Sequence, residues 1–483
     1  MIGGPIVVFW LVMMGLLLHG ELGVRRLPAH GGQLRKASES WLGVFAAEGR
    51  QVGHIHLQQV PEERRRQPGA RMTLEARMHL VLLGKPTDLD LSGSVWRPDG
   101  SQQVEFDFAV RSAGFDFTVA GEVADGWLQS EISSAGETLP LRLPVDQSLV
   151  FAGGIGSALS FPTLEVGEEY RLDTFDPLTL SKGEARVRCT AREKLRLAGV
   201  EIDARRLTIA MNGIHSVAWI DETGEVVRAE TPVGLTLERI TPEEAGSPPP
   251  AQADLPGLLD STAIRPTGRR PFRAARTMTV RLRGAPEPGL PEDRIQVSLG
   301  QGVYRIETPS EPPGETRPGE APALASHLRA DAFIQSDHPK IRNQAAAIVG
   351  DAENPWLRSQ RIHDWVFSRL DKEAVLSIPS ALEVLKRRRG DCNEHTVLFA
   401  ALARASAVPT RVAIGVVWSD ELDGFYYHAW PEVFLGDWIW MDPTLDQQLA
   451  DATHIKLANG GVEAWPRLLP YLGQLEIEVL DVE

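Results

Sequence analysis

Thiols are nearly absent from this chain: 483 residues hold two cysteines, Cys189 and Cys392. Two cysteines cannot build a disulfide framework, and no Cys/His spacing of the zinc type occurs, so neither a metal nor a cofactor is expected. An excess of positive charge is missing as well. The formal net charge is −15 at pH 7, and the Lys/Arg runs are short. That excludes a nucleic-acid binder working through a broad basic face. No internal repeat of fixed period is present. Long apolar runs are confined to the start of the chain.

That start reads "MIGGPIVVFWLVMMGLLLHG", and Ile2 to Leu18 carries no charge. The run is close to the roughly 17-residue lower limit for a spanning helix. No basic segment precedes it and no small-x-small cleavage site follows. Residues 1–22 therefore read as an uncleaved single-pass membrane anchor, with a cleaved signal as second choice and a buried helix as third. Arg25, Arg26, Arg35 and Lys36 follow the run. By the positive-inside rule they would keep that side in the cytoplasm.

What is abundant is strand-like text. With 43% hydrophobic residues, the chain can bury more than one core. Residues 37–245 hold short alternating runs such as "HIHLQQV", "QQVEFDFAV" and "RRLTIAMNG", split by Gly, Asp and Pro turns. They predict a β-rich domain, an antiparallel sheet or open barrel, with two strands meeting at Thr223-Gly224. His54 and His56 share a strand face there, but no third ligand accompanies them, so a solvated face is the reading. Cys189 alternates with charged neighbours, as a small buried strand residue would.

A Pro-rich linker occupies residues 246–270, and a short β region follows over 271–315. From 325 to 483 the pattern turns helical. "HPKIRNQAAAIVG" is a helix, and "NPWLRSQRIHDWVFSRL" is a second, capped by Asn354 with Pro355 at its first position. "SALEVLKRRRG" is a third, with Ser380 and Glu383 as a capping box and Gly390 as its stop.

Cys392 comes next, in "RRRGDCNEHTVLFAALARA". Asp391 and Glu394 form another capping box, so a helix starts at the cysteine. Leu398, Ala401, Leu402 and Ala405 line one face of it. The positive helix end favours thiolate over thiol, while a cysteine that merely packs is the plain alternative. "TRVAIGVVWSD" is then a strand, and "GFYYHAWPEVFLGDWIWMDPT" a hairpin turning at Gly436-Asp437. It sets His428 on one strand and Asp442 at the end of the next. A thiol nucleophile, a base and a group that fixes the base's tautomer are thus available in Cys392, His428 and Asp442.

Register tests that grouping. A two-residue turn would point His428 and Asp442 to opposite sides of the sheet. One extra residue on the first strand puts them diagonally across, about 7–8 Å apart at the backbone. A bulge near Pro431, which cannot donate to a ladder, is the predicted place.

These residues carry a resemblance. "GDCNEHTVLFAALARASAVPTRVAIG" followed by "YYHAWPEVFLGDWIWMDPT" resembles the core of the transglutaminase-like superfamily, papain-fold cysteine enzymes with Cys, His and Asp in this order. The match runs from about Pro339 to Leu457. "WLGVFAAEGRQVGHIHL" and "VAWIDETGEVVRAETPVGL" also resemble, more loosely, the β-rich N-terminal region of bacterial membrane-associated members. The resemblance implies an α+β multidomain protein, with an N-terminal antiparallel β-rich domain and a C-terminal papain-like, transglutaminase-like domain. It also implies acyl transfer through a thioester: Cys392 as nucleophile, His428 as base and acid, Asp442 as orienter, and the Cys392 N–H as one oxyanion donor.

The expected activity is a hydrolase or protease acting on peptide or amide bonds, ahead of a crosslinking transglutaminase. A non-catalytic module binding protein or peptidoglycan is the alternative. Expected partners are a protein or peptide substrate, the membrane through the N-terminal helix, and a possible partner of the β-rich domain; nucleic acid is not among them. The resemblance also suggests a periplasmic or extracytoplasmic body, against the basic residues after the anchor, so orientation stays open. Around the three residues, His395 reads as structural rather than a rival base. Arg387, Arg388 and Arg389 read as cations ending a helix. Trp365, Trp430, Trp438 and Trp440 read as core, and Glu432 as a support to the histidine strand.

Overall fold

A computed structural model describes residues 37–483 except 47–48, 83–84, 102, 113–114, 135–136, 145–149, 152–163, 177–180, 198, 212–213, 232–234, 247–262, 285–288, 311–323, 374–379, 461–470 and 472–474. The expected anchor over residues 1–22 and most of both Pro-rich stretches fall outside the described residues. Among those described, no helix is long and apolar enough to cross a membrane. The described residues divide into two compact units, those between 37 and 246 and those between 263 and 483.

Alternation builds the first unit. Ile55, Leu57, Leu74, Ala76, Phe106, Phe108 and Val110 are buried, while their strand neighbours turn outward. The result is a fifteen-stranded sheet whose first strand, Ser38–Phe45, lies at its middle. That strand pairs antiparallel with Gln51–Arg64 on one side and Thr236–Arg239 on the other, so the chain leaves along one wing and returns to close on its own start. His56 stacks on Trp41 at 3.9 Å and meets Glu39 at 2.8 Å. Cys189 is fully buried in a strand.

The second unit holds a five-stranded sheet in which the C-terminal strand Glu476–Val482 pairs with Thr277–Arg283. It also holds a four-stranded sheet, ordered Trp438–Trp440, Gly424–Phe434, Thr410–Ser419, His454–Asn459. Four helices accompany them: Pro339–Val349, Pro355–Arg369, Ala381–Arg387 and Cys392–Ala405. Asn354 caps the second, as its sequence predicts. The cysteine helix packs on the two central strands and on the other three helices. It is buried on all sides from Cys392 to Ala403, not along one face.

Two local expectations need correction. Ser380 makes no side-chain cap; its hydroxyl pairs with Gln335 instead, and Glu383 pairs with Arg387. That helix stops at Arg388, in the left-handed region at φ 57°, before Gly390 is reached. The hairpin register is Phe434↔Trp438, Val433↔Ile439 and Glu432↔Trp440. This is the parity that puts His428 and Asp442 on one face, but no bulge forms near Pro431, which stays in step with Val412. The extra residue sits in the turn itself, where Gly436 adopts φ 87° and Leu435, Gly436 and Asp437 together join the strands.

Candidate active site

Gly390 prepares the cysteine's position. Its φ is 155°, and a Cβ at this position would overlap the Glu394 side chain, so there is room only for glycine. Asp391 then caps the helix: its carboxylate accepts from the Asn393 N–H at 2.9 Å, and Glu394 accepts from the Asp391 N–H at 2.9 Å. Cys392 is the first helical residue and only 1% exposed. Burial, with the Asp391 charge added, pushes its thiol well above the ordinary range, while the Ala429 main chain opposes the shift. Desolvation thus works against the preference for thiolate at the helix end.

Ala429 follows His428 directly, and Thr396 of the cysteine helix donates to the Ala429 carbonyl at 3.1 Å. Helix and histidine strand are thereby joined beside the sulfur. His428 pairs across its strand with Gly415. Its Nε2 lies 2.7 Å from Asp442 Oδ2. A carboxylate only accepts, so Nε2 carries the proton and Nδ1 is a lone pair, buried and without a hydrogen-bond partner. Burial lowers the His428 pKa against the pull of Asp442, which keeps the ring neutral.

Asp442 is held from every side. Oδ1 accepts from the Thr444 and Leu445 N–H groups at 2.8 and 3.0 Å. Oδ2 meets His454 Nε2 at 3.1 Å as well as His428. Its carbonyl lies 3.2 Å from His363 Nε2. Burial would raise its pKa, but His428 and His454 more than offset this and hold it well below the usual carboxylate range. His454 and His363 escaped the sequence reading. Each joins the site by pairing of segments remote in sequence, and neither stands in a recognisable spacing. His428, Asp442 and His454 offer atoms within 4.8 Å of one another, formally a metal-ligand set. Both imidazoles address a single oxygen at hydrogen-bond lengths, however, so the arrangement is that of a shared acceptor.

The remaining candidates are tied elsewhere. His395 Nδ1 donates to the Asp391 carbonyl at 2.7 Å. Arg387 pairs with Glu383, Arg389 with Glu373, and Arg388 lies over the Trp365 ring at 4.3 Å. Trp430 and Trp440 are buried core, and Trp438 stacks under Arg411. Glu432 is fully buried between Arg411 and Lys456.

Residues 342–443 match the model of the Transglutaminase-like superfamily. Comparison with curated proteins finds no match. Among solved structures, a candidate cysteine protease from Cytophaga hutchinsonii is 19% identical, with 46% of this chain and 83% of that one covered, at a TM-score of 0.28. A β-barrel-like protein of a domain of unknown function from Brucella abortus is 10% identical, with 42% and 95% covered, at 0.30. A candidate protease from Parabacteroides distasonis is 12% identical, with 53% and 63% covered, at 0.19. At such TM-scores these likenesses assign neither fold nor activity. The segment spanning residues 342–443, which contains Cys392, His428 and Asp442, is a transglutaminase-like domain.

Proposed function

We propose that the chain is a thiol-dependent acyl-transfer enzyme with a papain-like site, acting on peptide or amide bonds. Hydrolysis is the favoured outcome and crosslinking to a second amine the lesser one. One observation carries the reading: His428 gives Nε2–H to Asp442 and keeps a buried Nδ1 without a hydrogen-bond partner, on the strand that Thr396 ties to the helix opened by Cys392. In the proposed reaction Nδ1 takes the Cys392 thiol proton as sulfur bonds to the carbonyl carbon. The same proton passes to the departing amine as the C–N bond breaks, leaving a thioester. Water, deprotonated by His428, then releases the acid and restores the thiol. The Cys392 N–H is one donor available to the oxyanion.

Because the resting thiol is neutral, the base has to act during attack, and reactivity should depend wholly on His428. Iodoacetamide should label Cys392 in the full chain, and His428→Ala should reduce that rate at least ~100-fold. Incubation with a peptide library and an amine donor, followed by mass spectrometry, then separates cleavage from amine adducts. Labelling that ignores His428, with no product of either kind, would favour a binding module. An N-terminal anchor and an extracytoplasmic body remain part of the proposal.

A further inference from the structure

His454 faces acceptors on both ring nitrogens. Nε2 points to Asp442 Oδ2 at 3.1 Å, and Nδ1 to the Asp451 carbonyl at 3.0 Å and its carboxylate Oδ1 at 3.3 Å. A neutral imidazole has one N–H and could satisfy only one of these. Two buried carboxylates with acceptor geometry at both nitrogens therefore require an imidazolium. His428 differs in kind, since its second nitrogen faces no acceptor at hydrogen-bond distance.

We propose that His454 is a positioning residue of the thiol site, a buried imidazolium that fixes Asp442 and takes up part of its negative charge, so that His428 stays neutral and keeps Nδ1 free for the Cys392 proton. The inference rests on the enzyme reading above. Its surroundings are consistent with it. Asp442, Asp451, His428 and the Trp430 ring face His454, and Arg273 meets the far side of Asp451 at 3.1 Å. His363 holds the Asp442 carbonyl. The neighbouring carboxylates raise the His454 pKa against its burial, whereas that of His428 is lowered. One carboxylate thus separates the charge states of two imidazoles whose centroids are 5.8 Å apart.

The test uses the full chain and follows iodoacetamide labelling of Cys392 from pH 5 to 9. Removing a buried positive charge strengthens proton binding by everything near it. His454→Gln keeps a donor toward Asp442 but loses the charge, so the acid limb of the profile should move up by about one pH unit or more. His454→Ala should move it at least as far and also lower the plateau about tenfold, because Asp442 loses a tether. A purely structural role would lower rates at all pH values without moving the limb. Folded His454→Gln protein with an unmoved limb overturns the proposal. Ring-nitrogen NMR on the unaltered chain provides a second readout that does not depend on a variant folding: both His454 nitrogens should carry protons at pH 7, and a singly protonated ring overturns the proposal. Labelling of Cys392 that is insensitive to His428 would instead sink the enzyme reading, while NMR would still decide the state of His454.

Discussion

Asp442→Asn separates the charge of the carboxylate from its shape. The Thr444 and Leu445 N–H groups occupy Oδ1 and require an acceptor there. The amide nitrogen is then forced to the Oδ2 side, against two imidazole donors. His428 must turn its proton to Nδ1 and loses the lone pair that the proposed reaction uses to take the thiol proton. Labelling of Cys392 should fall by as much as about 10⁴-fold with little change in fold, the loss known for a tautomer reversed at a catalytic histidine. Circular dichroism beside the rate measurement checks both halves, and an unchanged rate refutes the tautomer argument. At this scale the sequence was informative about Cys392, because a capping box is written in adjacent residues. His454 was not legible. Its meaning depends on a ring placed against Asp442 by strand pairing, and nothing within a few residues of it in the chain announces that.

Between elements, the closest approach decides the outcome. A Cβ on Gly415 would overlap the Ile455 carbonyl and stand 2.9 Å from the Trp430 ring. Gly415→Ala should therefore push the His454 strand away from its neighbour, destabilising the unit by about 1–3 kcal/mol. Labelling of Cys392 should slow as well; urea unfolding and the alkylation rate test this, and a neutral effect on both counts against the close packing. Lys456, fully buried, sits between Glu432 at 2.7 Å and Asp293, and under Trp440. Lys456→Ala takes the ammonium from between two carboxylates, leaving Glu432 to Arg411 and Asp293 to neutral N–H donors, and should cost about 3 kcal/mol in urea unfolding. Sequence patterns gave the element types here and failed at their edges. Asp391 and Ser380 look equally like caps, yet Ser380 has Gln335 within reach and Asp391 has only its own helix to serve. The parity of the hairpin was legible from His428 and Asp442. The location of the extra residue was not, because a left-handed glycine absorbs it more easily than a proline-disrupted ladder.

For the molecule as a whole, the buried charges set a pH window. Asp442 and Asp451 have depressed pKa values, so the stability they contribute is present above about pH 4 and lost below it. His428 is also depressed; the unfolded ring binds a proton that the folded one refuses, and stability falls as pH drops through about 6.5. His454 is raised, so its contribution is complete below about 6.5 and disappears as pH climbs through the folded value. Urea midpoints of the full chain should peak near neutrality, and His454→Gln should flatten the alkaline side. A midpoint that does not vary with pH would mean these groups are not coupled to folding.

The enclosure of Cys392 has one more consequence. Thiolates rather than thiols attack peroxides and disulfides, and here burial raises the Cys392 pKa and leaves the residue 1% exposed. On the proposed reading, oxidation and alkylation of Cys392 share one requirement, proton removal by His428, so His428→Ala should slow peroxide and iodoacetamide alike.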